Sequence, residues 1–268
     1  MSLSSRIGFW GTGNMAKAMI RGLIANEVFS AEQISCISKS GTSSQLFAAE
    51  TGIRSLKNHT ELISECDYLV LAFKPFQLET LKAELKSVTC KTVLSVLAGT
   101  KLEKLNHYCP KAQSVIRTMP NTPGRIGEGI TAYCSNASLP ETEKTELEQI
   151  LASLGDVVAI NEPLMDVFTA VAGSGPAYVF EFIAALAEAG ETEGLPPDMA
   201  LSIAKQTIFG AAALAKGSGE HPEVLRDQVT SKGGTTAAGL DVMAEGKFRQ
   251  LIHNTVKAAK SRSIEMGK

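Results

Sequence analysis

A glycine-rich turn near the start of the chain narrows the possible folds more than any other feature. Ile7-Gly8-Phe9-Trp10 reads as a short strand and runs into Gly11-Thr12-Gly13-Asn14-Met15-Ala16, then a helical pattern. The string is G-x-G-x-x-A at a strand-to-helix junction. There Gly11 permits a tight turn, Gly13 lets the backbone approach a pyrophosphate, and Ala16 lets helix and sheet pack closely. The first N–H groups of the helix, around Asn14 and Met15, then face the phosphate charge. Glycine turns are common, so the string is specific only if strand and helix go on alternating behind it.

They do. Runs rich in Val, Ile and aromatics predict strands at Ile7–Trp10, Ile34–Ser38, Tyr68–Phe73, Thr92–Val96, Ser114–Arg117, Ile130–Tyr133 and Val157–Ile160. Helical patterns fill the gaps at Asn14–Ile24, Ser43–Glu50, Thr60–Glu65, Gln77–Lys86, Leu102–His107 and Glu141–Leu154. Such alternation predicts a mostly parallel sheet covered on both faces. After about Pro163 the texture changes to Ala-rich helical patterns: Leu164–Ala172, Pro176–Glu188, Pro197–Lys216, Pro222–Val229, Thr235–Glu245 and Phe248–Met266. The fold class expected is therefore α/β, with a Rossmann-type doubly wound sheet over residues 1–163 followed by an all-α domain over residues 164–268. With 44% hydrophobic residues in 268, the chain has enough apolar material for two such domains. Small and apolar residues on several sides of the later helices suggest burial all round, which a domain of that size achieves against a second copy of itself. A homodimer is the expectation.

Composition removes other classes. The 26 basic and 28 acidic residues nearly cancel, and without a basic run neither nucleic acid nor an anionic membrane is expected as partner. Met1 to Arg6 has no apolar core of a leader, and Val167–Phe180 is read as too short and too broken by Gly173, Gly175 and Pro176 to span a bilayer. Cysteines at 36, 66, 90, 109 and 134 form no C-x-x-C pair. They predict no metal site, and reduced, mostly buried thiols in a cytoplasmic protein.

The dinucleotide is read from the end of the second strand. NAD sites usually place an acidic residue there for the ribose diol. Here the stretch is Cys36-Ile37-Ser38-Lys39-Ser40-Gly41-Thr42, with a cation and hydroxyls but no carboxylate. Ser38, Lys39 and Ser40 suit the negative charge and acceptors of a 2′-phosphate, so NADPH is favoured over NADH. Two later strands end on the same sheet edge, giving Leu71-Ala72-Phe73-Lys74-Pro75 and Arg117-Thr118-Met119-Pro120-Asn121. Ligands of open α/β sheets sit outside the carboxyl ends of strands, so Lys74 and Asn121, with Ala72 and Pro75 beside them, are candidate cofactor contacts. A second glycine-rich stretch, Ser231-Lys232-Gly233-Gly234-Thr235-Thr236, precedes a helix. Consecutive glycines there make a nest of N–H groups that favours a small carboxylate.

Taken together, GTGNMA, FKP (73–75), RTMPNTP (117–123), AGSGPAY (172–178) and TSKGGTTAAGLDVM (230–243) resemble, in order and over essentially the whole chain, the pyrroline-5-carboxylate reductase family. The resemblance implies reduction of Δ1-pyrroline-5-carboxylate to L-proline by NADPH, and a Rossmann domain followed by a helical dimerisation domain whose dimers can build homodecamers. It further implies that Thr236, the catalytic candidate, bonds the ring nitrogen, and that Ser231 with Gly233, Gly234 and Thr235 holds the carboxylate. Asn58 matches a position near the cofactor ribose. Lys232 and Thr235 depart from a common form of the signature, which has proline and alanine there. His221, before a helix, reads as a cap or surface residue. Two rivals stand beside this reading. One is a 3-hydroxyacid dehydrogenase-like enzyme, which would want a catalytic lysine after Pro176, where none occurs before Lys205. The other is a non-catalytic NADP-binding sensor.

Overall fold

Six of the eight strands run parallel, as the continuous buried apolar runs of most of them favour, and the last two, parallel to each other, run the opposite way. The computed structural model describes residues 3–267. Met1 and Ser2, part of the stretch read as leaderless, and Lys268, the end of the expected helical domain, lie outside the described residues. The strands are β1 (Ile7–Trp10), β2 (Ile34–Ile37), β3 (Arg54–Ser55), β4 (Tyr68–Leu71), β5 (Thr92–Ser95), β6 (Ser114–Met119), β7 (Gly129–Ser135) and β8 (Gly155–Ala159). They hydrogen-bond in the order β3-β2-β1-β4-β5-β6-β7-β8. Only the β6–β7 pair is antiparallel. The order reverses direction between β1 and β4, which makes their carboxyl ends the switch point of the sheet.

Alternate residues of each strand feed two cores. On one face Trp10, Leu69, Leu71, Val93 and Val115 pack with helices α3 (His59–Glu65), α4 (Lys82–Leu85) and α5 (Leu102–Tyr108) through Leu62, Leu85 and Leu105. On the other, Phe9, Val70, Leu94 and Ile116 pack with α1 (Asn14–Ala25), α2 (Thr42–Thr51) and α6 (Glu141–Ala152) through Met19, Phe47 and Leu147. At the amino edge of the sheet Thr92 Oγ1 donates to Glu143 Oε1 at 2.8 Å. Lys91 Nζ donates to Glu146 at 2.7 Å, and the Tyr68 hydroxyl shares that carboxylate. Lys91 and then Tyr68 hold the Glu146 carboxyl below its ordinary value.

The later helices are α7 (Met165–Phe168), α8 (Gly175–Thr192), α9 (Pro197–Ser218), α10 (Pro222–Gln228), α11 (Thr235–Glu245) and α12 (Phe248–Met266). Three local expectations change. The helix predicted over Gln77–Lys86 is a 3₁₀ turn at Pro75–Gln77 and a single α turn, α4. Leu78 and Leu85 are buried as a helix face would bury them, but the backbone between them turns. The helix predicted over Leu164–Ala172 divides into α7 and a π turn, Thr169–Gly173. The strand β3 was not foreseen, because two residues show no periodicity.

The chain forms two compact units. The first runs through Gly173 and takes back the end of α12 from Ala259; the second is Ser174–Ala258. The reason is packing: Met165 is buried in the sheet's core, and Ser263 Oγ donates to Asp166 Oδ1 at 2.7 Å. In the second unit α8 and α9 pack together, and their buried residues are Ala187, Ala200 and Ala204. Burial all round is not achieved within one chain: Phe180 is 62% exposed, Phe209 67% and Val242 68%. The bilayer reading of this region is also corrected. The helical run Glu162–Thr192 is continuous and, by length and composition alone, apolar enough to cross a membrane. The π turn carries the chain through Gly173, and Pro176 sits in the first turn of α8, where a missing N–H costs nothing.

All five cysteines are free and buried. Burial pushes the Cys90 and Cys109 thiols up to about 12, and Cys36 and Cys134 up to about 11; Cys66 is raised too. Thiolates are the reactive form. A thiol reagent at pH 8 should therefore label the native protein slowly at every cysteine and all five quickly in guanidinium. Rapid labelling of the native protein would contradict this burial.

Candidate active site

The glycine turn works by close approach of two backbones. Gly11 has φ +113°, and a Cβ there would stand 2.5 Å from the Ala72 carbonyl oxygen. Its N–H donates to Ile37 O at 2.9 Å, and Ala72 N–H donates to Trp10 O at 2.9 Å. The ends of β1, β2 and β4 are thereby tied at the switch point. Gly13 is the N-cap of α1 in extended conformation, and no side chain caps the helix. Gly13 and Asn14 are exposed, with Met15 half-buried behind them. An open cradle of glycine backbone before uncapped N–H groups fits a pyrophosphate.

The loop after β2 is organised around hydroxyls. Ser38 Oγ accepts from Ser44 N–H at 3.1 Å and so caps the first turn of α2. Ser44 Oγ in turn donates to Gly41 O and meets Ser38 and Ser55. Ser38 thus shapes the loop, while Lys39 and Ser40 are exposed on it. One link was not foreseen: Thr12 Oγ1 and Ser43 Oγ lie 2.8 Å apart, joining the glycine turn to the β2 loop. The only sequence hint was the run of hydroxyls at 42–44.

Around the same edge, Asn58 is the N-cap of α3, its Oδ1 accepting from Glu61 N–H at 2.9 Å. The neighbouring His59 stacks on Trp10 with ring centroids 4.4 Å apart, and Phe73 meets Trp10 edge-on at 5.7 Å. This aromatic cluster, also unforeseen, packs beneath the loops that carry Asn58, Ala72, Lys74 and Pro75. The Lys74 side chain is exposed at the start of the Pro75–Gln77 turn. Asn121, the other candidate at this edge, has backbone partners of its own. It is 8% exposed; its Nδ2 donates to Ala172 O at 3.1 Å and its Oδ1 accepts from Ile130 N–H at 3.0 Å. A shallow groove of about 600 Å³ lined by Glu79, Lys101, Lys104, His107 and Tyr108 lies along α5 and contains none of these residues.

The second glycine loop belongs to the other compact unit. Gly233 has φ +73°, and Gly234 N–H donates to Ser231 O at 3.0 Å. The tight turn sets Ser231 Oγ 2.4 Å from where a Cβ on Gly234 would stand, so a side chain there would displace the serine hydroxyl. Gly234 is the N-cap of α11, again with no side-chain cap. Ser231, Lys232, Thr235 and Thr236 are all exposed around this helix start. The loop therefore presents hydroxyls and backbone N–H groups together, the donor set for a carboxylate. Thr230, just outside it, is spent on Arg226 O at 2.6 Å. His221 Nδ1 accepts from Glu223 N–H at 3.3 Å, so the residue is a helix cap, as its place before α10 suggested.

Known proteins match over the same span. The family model for pyrroline-5-carboxylate reductase dimerisation matches residues 162–266, and that for NADP oxidoreductase, coenzyme F420-dependent, matches residues 6–99. A pyrroline-5-carboxylate reductase of Synechocystis sp. is 38% identical over 267 residues, 99% of this chain and 100% of the relative. The solved structure of a pyrroline-5-carboxylate reductase from Coxiella burnetii aligns with a TM-score of 0.93 at 32% identity, covering 99% of this chain and 100% of that one. A Plasmodium falciparum pyrroline carboxylate reductase solved with NADP bound aligns with a TM-score of 0.85 at 31% identity over 100% of both chains. Identity at this level across the glycine turn, the sheet and the later helices means that the chain belongs to the pyrroline-5-carboxylate reductase family.

Proposed function

We propose that this chain reduces the cyclic imine Δ1-pyrroline-5-carboxylate to L-proline, the last step of proline biosynthesis, with NADPH as reductant. One structural observation carries the residue-level reading. Each compact unit presents an uncapped helix N-terminus behind a glycine turn, α1 after Gly11 and Gly13 and α11 after Gly233 and Gly234. The reaction brings together two anions, a dinucleotide and an amino-acid carboxylate, and each helix start suits one of them. A dehydrogenase of 3-hydroxy acids has no support here, since α8 contains no lysine.

When bound, the cofactor supplies the hydride, and the protein's part is binding, alignment and exclusion of water. Backbone at Gly11, Gly13, Asn14 and Met15 would hold the pyrophosphate. Lys39 and Ser40 would meet the 2′-phosphate, with Ser38 keeping their loop in shape. Ala72, Lys74 and Pro75, with Asn58, would meet the nicotinamide and ribose portion of the cofactor. In the second unit Ser231 and the N–H groups of Gly233, Gly234 and Thr235 hold the substrate carboxylate. Thr236 Oγ1 would accept from the protonated imine N–H and so fix the orientation of the ring. The exposed apolar side chains of α8, α9 and α11 form the face of a homodimer, and assembly to a homodecamer follows the family resemblance. The apolar character of Glu162–Thr192 has the same origin in this reading. Five reduced, buried thiols accord with a cytoplasmic enzyme.

Three measurements test these assignments. Cofactor oxidation at 340 nm with the imine should favour NADPH over NADH, and Lys39→Glu should weaken NADPH by about 10- to 100-fold, the worth of one or two hydrogen bonds to a charged group. Preference of the wild type for NADH would refute the role of Lys39. Thr236→Ala should lower turnover by a similar factor of about 10 to 100, the worth of one such bond, whereas His221→Ala leaves it nearly unchanged; equal activity of Thr236→Ala and wild type removes the threonine from the mechanism. In solution the mass should be a multiple of 28.4 kDa, and a monomer would overturn the proposed interface.

A further inference from the structure

We infer that Asn121 is a positioning residue: with Arg117 and Met119 it forms a track along β6 that seats the segment leading into the helical unit, and it acts through that segment rather than by touching the cofactor. The inference rests on the reductase reading above. In an extended strand, residues two apart point to the same side. Arg117, Met119 and Asn121 are so spaced, and the backbone is still extended at Asn121, with φ −126° and ψ 169°. All three side chains meet the stretch 162–173. The Arg117 side chain is 5% exposed and its Nη1 donates to Glu162 Oε1 at 2.9 Å. The same oxygen accepts from Leu102 N–H at 2.7 Å, which anchors the start of the stretch to α5 as well. The terminal methyl of Met119 lies 2.7 Å from where a Cβ on Gly173 would stand. Asn121 donates to the carbonyl of Ala172 at 3.1 Å. One strand therefore grips the segment at both ends, Glu162 and Ala172–Gly173.

The end that Asn121 grips is the π turn Thr169–Gly173. A π turn departs from the regular ladder and often marks a functional site. Ser174, the next residue, opens the unit that carries Ser231 and Thr236. Asn121 itself stands just past the carboxyl end of β6, on the sheet edge assigned to the cofactor. Its carboxamide bonds two backbone groups, Ala172 O and Ile130 N–H, and on this inference its effect on chemistry passes through the turn it holds. Alignment in such a reaction is sensitive, and a displacement of about 1 Å can cost on the order of 10²-fold in rate.

Two substitutions separate the bonds. Asn121→Asp keeps an acceptor for Ile130 N–H but loses the donor to Ala172 O, while Asn121→Ala loses both. For Asn121→Asp, the expected result is NADPH affinity by calorimetry within about twofold of wild type, with kcat on Δ1-pyrroline-5-carboxylate reduced on the order of 10- to 100-fold. Hydrogen exchange at the amides of residues 170–178 should also quicken. Asn121→Ala should match or exceed that loss. An affinity for NADPH that falls in step with kcat would make Asn121 a cofactor contact and overturn the inference; so would unchanged kcat or unchanged exchange. The exchange measurement needs no turnover. If wild-type enzyme failed to reduce the imine, the assigned reaction and the catalytic half of this inference would fall together, and the exchange pattern would still decide whether Asn121 holds the turn.

Discussion

The contact on which the site depends is backbone against backbone: Gly11 lying on the carbonyl of Ala72. No residue with a Cβ fits there, because φ is +113° and the Ala72 oxygen occupies the space. This closeness lets β1 sit between β2 and β4 while its exit turn bends straight into α1. The helix start is then left open at the switch point of the sheet, and the loops after β2 and β4 are drawn to the same place. Thr12 with Ser43, and Trp10 with His59 and Phe73, hold those loops once they are there.

The second unit follows a different logic. The buried residues of α8 and α9 within it are alanines, and many of its large apolar residues are exposed in a single chain. Leaving Phe180 and Phe209 in water forgoes the stabilisation that burial of an aromatic side chain brings, about 1.5–3 kcal/mol each. Such surface is characteristic of a face that another protein covers. The two parts are joined by a stretch that the sheet holds firmly: a buried arginine pairs with Glu162 at its start, and an asparagine bonds to Ala172 at its end. The connection between the nucleotide unit and the helical unit is therefore a built element of the first compact unit, which runs through Gly173.

Much of this was legible beforehand, and the reasons are local. The strands were found to within a few residues because buried parallel strands are continuous apolar runs, and the helices of the second unit were found because Pro, Gly and Ala punctuate them. Both glycine turns could be read because glycine is demanded by the backbone itself. Roles of polar side chains were less legible. Sequence alone offers Ser38, Asn58 and Asn121 as candidate cofactor contacts and does not show that Ser38 also caps α2, Asn58 caps α3 and Asn121 bonds a carbonyl 51 residues away. A polar residue in a loop looks the same in sequence whether or not its groups are already spent.

The sequence by itself determined the alternation of strand and helix, the two glycine-bounded helix starts and the family to which they belong. Each depends on residue types acting within a few positions of one another. The tertiary structure decided what long-range contact alone can decide: the border between the units, the π turn after α7, the hydroxyl link from Thr12 to Ser43, and the use of alternate residues of β6 to seat the connecting segment. Those features arise when surfaces far apart in the chain compete for the same polar groups and the same space, and no local pattern records the outcome.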